Sequence, residues 1–147
     1  TTLFRSNPGN SITVFEEPNS NTKIGVGICY DIRFPELSQS MLKQGSEILV
    51  YPGAFNMTTG PAHWELLARA RAIDTQSFVI VASPARVQSE KDYVAYGHTS
   101  VFDPWASTVG KLEEQEGLLM CDLDLDRVEE VRSSIPTRDQ KRFDIYQ

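Results

Sequence analysis

Short apolar runs separated by turn-forming residues dominate the pattern along the chain, with two stretches of helical character set between them. Ile24–Cys29, "IGVGIC", alternates glycine with aliphatic residues and predicts a buried strand pressed against neighbouring backbone. Glu47–Tyr51 ("EILVY") and Phe78–Ser83 ("FVIVAS") are continuous apolar runs of strand length. Between the first two runs, Pro35 stands where helices start and Gly45 where they end, which predicts a helix over Glu36–Gln44. Between the second and third, Trp64, Leu67, Ala68 and Ala72 recur at helical spacing. Pro61 suits a first turn and Glu65 can pair with Arg69 at i,i+4, so Pro61–Gln76 is the strongest helix expectation. Strand, helix, strand, helix, strand predicts right-handed crossovers within a parallel sheet.

The flanks read differently. Residues 1–23 are rich in Pro, Gly, Asn and Ser, with a short strand expected at Ser11–Phe15. Downstream, Tyr96–Phe102, Thr108–Leu112 and Leu118–Leu123 read as shorter strands joined by tight turns such as "DPWAS". Asp124–Ser134 follows as a short amphipathic helix, and "PTRDQKRFDIYQ" as an irregular tail. The three parallel strands are apolar on both faces, and such sheets normally have both faces covered. Few helices are available here to cover them. The expectation is a single α/β domain over 1–147, without internal boundary, that other chain segments or another subunit complete. The absence of an initiator Met and the loop-like opening point the same way.

Composition narrows the partners more than the fold. At 147 residues, 40% hydrophobic and 23% charged, the chain is about one ordinary globular domain. No apolar run approaches the roughly 20 residues of a membrane-spanning helix. "TTLFRSNPGN" lacks the basic and apolar regions of a secretory signal. A net charge of −6 disfavours nucleic acid, which needs a basic face. Cys29 and Cys121 form no CxxC pair, and with two histidines a zinc centre is not expected, nor is another cofactor. A reducing interior, cytoplasmic or mitochondrial, is the default setting.

Candidate chemistry gathers around Cys29. In open α/β sheets ligands collect beyond the carboxyl ends of the strands, where Cys29 is expected. Backbone N–H groups of a following turn lower a thiol's pKa and cradle an oxyanion. A buried structural cysteine is the alternative, since free cysteine is among the most buried residue types. Cys121, in "LLMCDLDL", reads as packing. A thiol nucleophile wants a base, and His63 and His98 are available, though each reads more readily as a structural hydrogen bonder. "GICYD" lacks the second glycine of a nucleophile elbow, which argues against the α/β-hydrolase arrangement. Arg33 is suited to grip a carboxylate through two parallel N–H bonds, or to pair locally with Asp31 or Glu36. Phe55, Thr58 and Thr59, beyond the second apolar run, either line the same pocket or make a turn.

Several ordered segments go further than spacing. "GVGICYDIRFPEL", "YPGAFNMTTGPAHWELLARARAIDTQSFV", "SPAR", "YGHTSVFDPW" and "QKRFDIY" together resemble the nitrilase superfamily of carbon–nitrogen hydrolases, most closely its omega-amidase and deaminated-glutathione amidase branch. The resemblance runs from about Ile24 to Tyr146. It implies half of the family's α-β-β-α four-layer sandwich, a homodimer packing helix on helix, and no metal. It makes Cys29 the nucleophile toward a small carboxylate-bearing amide, such as 2-oxoglutaramate, through a thioester. The Tyr30 N–H would be an oxyanion donor, Arg33 would bind the carboxylate, and Phe55 and Thr59 would contact substrate. His63 and His98 would be structural. The family's base Glu and oxyanion Lys precede its Cys by many tens of residues, whereas only 28 residues precede Cys29. The resemblance therefore implies that the second half of a domain is present and the half bearing Glu and Lys is not. A non-catalytic scaffold subunit and a self-contained Cys–His hydrolase are the competing expectations.

Overall fold

The structure, a computed structural model, describes residues 9–87 and 93–145. The loop readings for 1–8 and for 88–92, and the end of the resemblance at Tyr146, lie outside the described residues. Six strands form one sheet in sequence order: β1 (Thr13–Glu16), β2 (Lys23–Val26), β3 (Ile48–Pro52), β4 (Phe78–Ala82), β5 (Ser100–Phe102) and β6 (Thr108–Lys111). β2, β3 and β4 run parallel, in register Ile24–Ile48–Phe78, while β1, β5 and β6 join antiparallel at the two sides. The parallel trio is as the apolar runs predict, because chain that returns through a helix must re-enter in the same direction.

Those crossovers are α1 (Pro35–Lys43) and α2 (Thr59–Thr75). Pro35 occupies the first turn of α1, and Gly45, at φ +91°, ends it. Helix α2 begins two residues before Pro61 because Asn56 caps it. Its Oδ1 accepts the N–H groups of Thr58 and Thr59 at 3.0 and 2.8 Å. At the far end Gln76 takes a left-handed conformation, φ 49°, where glycine would be easier. Its side chain donates to the Ile135 carbonyl and accepts from the Thr137 hydroxyl, at 2.7 and 3.2 Å.

Alternation along each strand divides the apolar residues between two layers. One face carries Leu49, Tyr51, Val79, Val81 and Phe102 beneath Met41, Trp64, Ala68 and Ala72 from the two helices, and this is the main core. The opposite face carries Ile48, Phe78, Ile24, Val50 and Ile80, touched by Val128 of α3 (Asp126–Ser134) and by Leu123 and Leu125. Ile24, Val26, Val50 and Ile80 on that face stay only half-buried. Arg132 fastens α3 to the sheet, donating through Nη2 to the Ser46 carbonyl and Ser77 Oγ at 3.0 and 3.1 Å.

Four expectations are corrected. The first apolar run is a strand only to Val26, with one more ladder bond from Gly27, so Cys29 lies beyond the strand rather than at its end. Tyr96–Phe102 is regular strand only from Ser100, because Gly97 and His98 both have positive φ, 81° and 61°, although the His98 N–H and the Thr99 carbonyl still bond Glu113 and Leu112 backbone. Leu118–Leu123 is not a strand. Residues 119, 121, 123 and 125 alternate inward, but they lie over the half-covered face, with Cys121 beside Gly110, and residues 118–123 make no backbone pairing among the described residues. Alternation reports an extended chain against a surface, and this one lies on the sheet instead of in it. The tail holds a short helix, α4 (Thr137–Gln140), drawn into order by Gln76.

Tyr51 shows how tightly the main core closes. Its ring packs where a side chain on Gly27 would stand 2.6 Å away, and its hydroxyl is buried without a hydrogen-bond partner. Burial pushes the phenol up to about 12, with the Arg71 guanidinium opposing that rise. A raised folded-state value for an acid means the unfolded chain ionises first, so stability should fall as pH rises from about 10 to about 12. Tyr51→Phe should remove that slope. At pH 7 it should leave stability unchanged or improve it by up to about 1 kcal/mol, because an unsatisfied buried hydroxyl is lost. Denaturant titrations of both proteins at several pH values measure this.

Candidate active site

Beyond β2 the chain makes one further ladder bond, Gly27 N–H to the Val50 carbonyl at 3.1 Å. It then winds into a 3-10 turn, Cys29–Arg33. Asp31 fixes that turn by accepting the Ile28 N–H through Oδ2 at 2.8 Å. Cys29 opens the turn with φ +50°, a conformation that L-residues avoid and that is held only when the surroundings over-determine it. The surroundings do so from the end of β3. A side chain at Gly53 would stand 2.9 Å from Cys29 Cα, and the Gly53 N–H is itself tied to the Ala82 carbonyl at 2.8 Å. The thiol is free and half-buried. The Tyr30 N–H that follows has no acceptor among the described residues, as expected in the first turn of a helix.

Arg33 closes the same turn. Its guanidinium carbon lies 4.7 Å from the Phe55 ring centroid and 5.2 Å from that of Tyr30. Nη1 meets His63 Nδ1 at 3.2 Å, so this nitrogen of His63 accepts and the ring proton sits on Nε2. Neither Asp31 nor Glu36 pairs with it. Nε is buried without a partner, and Nη2 has none among the described residues. Phe55 is itself locked, edge-on to Trp64 at 5.0 Å, while Trp64 Nε1 donates to the His98 carbonyl at 2.8 Å. Thr59 stands in the first turn of α2, its hydroxyl donating to Asn56 Oδ1 at 3.0 Å. Thr58 is exposed.

Cys29, Tyr30 and Arg33 thus share one turn, and Phe55 is brought to it through Arg33. The histidines are otherwise engaged. His63 holds Arg33, and His98 stacks on Tyr96 at 4.1 Å between Glu113 and Arg86. Among the described residues no hydrogen bond joins either of them to Cys29. His98, Glu113 and Glu114 do bring ligand atoms within 4.8 Å of one another. Arg86 Nη2, 3.5 Å from His98 Nε2, sets a positive charge beside that cluster. Tyr93 was not foreseen. Its hydroxyl donates to the Ala54 carbonyl at 2.7 Å, between Gly53 and Phe55, and burial followed by the nearby Cys29 raises its phenol. No motif in the sequence marks it, because the contact joins two loops. A groove of about 580 Å³ lies elsewhere, between α1, Ile73 and Phe143.

Comparison with known proteins identifies the family. The carbon-nitrogen hydrolase family pattern matches residues 1–133. The chain is 54% identical over 139 residues to omega-amidase NIT2 of Xenopus tropicalis, covering 95% of this chain and 49% of that protein. Against omega-amidase NIT2 of Homo sapiens it is 49% identical over 139 residues, with the same coverage of 95% and 49%. Among solved structures, Saccharomyces cerevisiae Nit3, a member of branch 10 of the nitrilase superfamily, superimposes with a TM-score of 0.82 at 43% identity, over 88% of this chain and 47% of that one. The chain spans about half the length of the curated relatives it matches.

The Gly53 contact can be tested directly. Gly53→Ala sets a methyl against Cys29 backbone, which no side-chain rotation relieves. The change should cost about 1–3 kcal/mol of stability and slow alkylation of Cys29 relative to Cys121. Denaturant titration and iodoacetamide labelling followed by peptide mass spectrometry read the two effects.

Proposed function

This chain belongs to the carbon-nitrogen hydrolase family, and from that premise we propose that it carries the nucleophile and the acid-binding residues of an omega-amidase-like hydrolase. The observation that carries the reading is the single turn Cys29–Arg33, which opens on a thiol in a left-handed conformation and closes on a guanidinium whose Nε and Nη2 have no partner among the described residues. The substrate class is a small linear amide bearing a carboxylate, 2-oxoglutaramate being the type. Deaminated glutathione is the bulkier alternative.

In the proposed reaction the base takes the Cys29 proton, and the thiolate attacks the amide carbonyl. A C–S bond forms and the carbonyl pair moves onto oxygen, where the unpaired Tyr30 N–H donates to it. Collapse breaks the C–N bond, and the departing nitrogen takes the proton back from the base to leave as ammonia. Water then attacks the thioester, expels the thiolate and completes the acid. Arg33 holds the distant carboxylate, while Phe55 and Thr59 wall the site. No metal is called for by these residues.

By resemblance, the base Glu and the charged oxyanion donor Lys come from chain outside residues 1–147, in the same polypeptide or another. Losing even one oxyanion donor typically costs about 10²–10³ in rate, so residues 1–147 alone should not turn over. The half-buried sheet face and the unpaired segment 118–123, with Leu118 and Met120 82% and 84% exposed, support a covering partner there. Leu66 and Ile73, seven residues apart on α2 and 66% and 60% exposed, support a homodimer through the helices. A reducing compartment, cytoplasmic or mitochondrial, follows from the need to keep the Cys29 thiol free.

In the complete protein Cys29→Ala should abolish ammonia release from 2-oxoglutaramate while retaining the fold, and Cys121→Ala should keep most of the activity. Near-normal turnover by the Cys29 variant would refute the assignment. Inactivity of the complete wild-type protein on every small amide tried would favour the scaffold reading. Arg33→Gln should lower kcat/KM for carboxylate-bearing amides by about 1.5–3 kcal/mol, roughly 10- to 150-fold. Arg33→Lys should rescue little, since the planar fork is lost.

A further inference from the structure

A guanidinium offers a carboxylate two bidentate edges, one through Nη1 and Nη2 and one through Nε and Nη2. In Arg33 the first edge is engaged through Nη1, one of whose two N–H groups donates to His63 Nδ1 at 3.2 Å. The second has no protein partner among the described residues. Nε is buried with no partner, and Nη2 has no partner among the described residues. A buried, unsatisfied donor of a charged group is costly, and a bound ligand is one source of the missing acceptor. The plane of the group is set independently by the aromatic rings of Phe55 and Tyr30, at 4.7 and 5.2 Å from its central carbon.

We propose that His63 is the positioning residue of the acid clamp: by accepting from Nη1 it fixes the rotation of Arg33 so that Nε and Nη2 together face the substrate carboxylate side-on. This rests on the reading of Arg33 as the carboxylate-binding residue and adds which edge binds and what orients it. His63 comes from the second turn of α2 and Arg33 from the turn after β2, so the hydrogen bond ties two separate elements of the site together. It also explains a polar residue at position 63 beside buried Trp64. The imidazole needs only to present a lone pair at Nδ1, and no proton leaves or enters it during the reaction.

The test measures binding, so that turnover does not obscure it. The complete protein carrying Cys29→Ala is titrated calorimetrically with succinamate and with its uncharged methyl ester. Succinamate should bind at least tenfold more tightly, and adding Arg33→Gln should erase that preference. His63→Phe, which keeps a ring but has no acceptor, should weaken succinamate about tenfold and leave the ester unchanged. His63→Asn, whose Oδ1 falls where Nδ1 stood, should restore affinity to within about twofold. If His63→Phe fails to fold, His63→Gln serves in its place, since its acceptor reaches past the Nδ1 position, and the same tenfold loss is expected. A preference erased by Arg33→Gln but untouched by loss of the His63 acceptor overturns the positioning role alone. Equal weakening of both probes overturns it too, as a merely structural effect. No preference in the parent, no binding of either probe, or a preference that survives Arg33→Gln overturns the clamp itself, and the positioning role with it.

Discussion

Cys29 can hold a left-handed backbone only because the end of β3 comes close enough to leave it no alternative. Gly53 permits that approach, Gly27 continues the parallel ladder to the edge of the turn, and Asp31 ties the Ile28 N–H across it. The strain of a positive φ, on the order of 1–2 kcal/mol, is met by the register of β2 against β3. Moving that register by one residue would exchange the two faces of the sheet as well as displace the thiol. Core and site are thus fixed by the same pairing. The turn that opens on Cys29 is short, so the same constraint places Arg33 one turn later, against Phe55 at the end of β3.

The parallel trio and its two helices were legible because each carries its own signal. Apolar runs of strand length, Pro35 and Gly45 about α1, and the Trp64–Ala68–Ala72 stripe are all local. What was misread was non-local. Nothing in "IGVGIC" distinguishes a strand that ends at Val26 from one that ends at Cys29, because the break is imposed by the 3-10 turn that Asp31 secures. In "LLMCDLDL" the alternation was real, yet alternation cannot tell a strand in a sheet from an extended segment lying across one. Tail order depended on Gln76, about sixty positions earlier, whose side chain bonds Ile135 and Thr137. Cys29, Arg33 and Phe55 were nameable through resemblance. The Arg33–His63 bond and the Tyr93–Ala54 bond were not, since both join distant elements.

The two faces of the sheet describe what else the chain needs. One is closed by α1 and α2 down to Tyr51, whose hydroxyl is sealed in without a partner. The other is covered by α3 and the segment before it, and among its residues Ile24, Val50 and Ile80 stay half-buried. A parallel strand apolar on both sides is stable in water only when both are covered. Both ends of the strands carry an arginine whose Nε is buried without a partner: Arg132 at the start, anchored through Nη2 to the Ser46 carbonyl, and Arg33 at the carboxyl ends, anchored through Nη1 to His63. At the carboxyl ends the turn also sets the Cys29 thiol on a backbone of positive φ, followed by a Tyr30 N–H that meets no acceptor among the described residues.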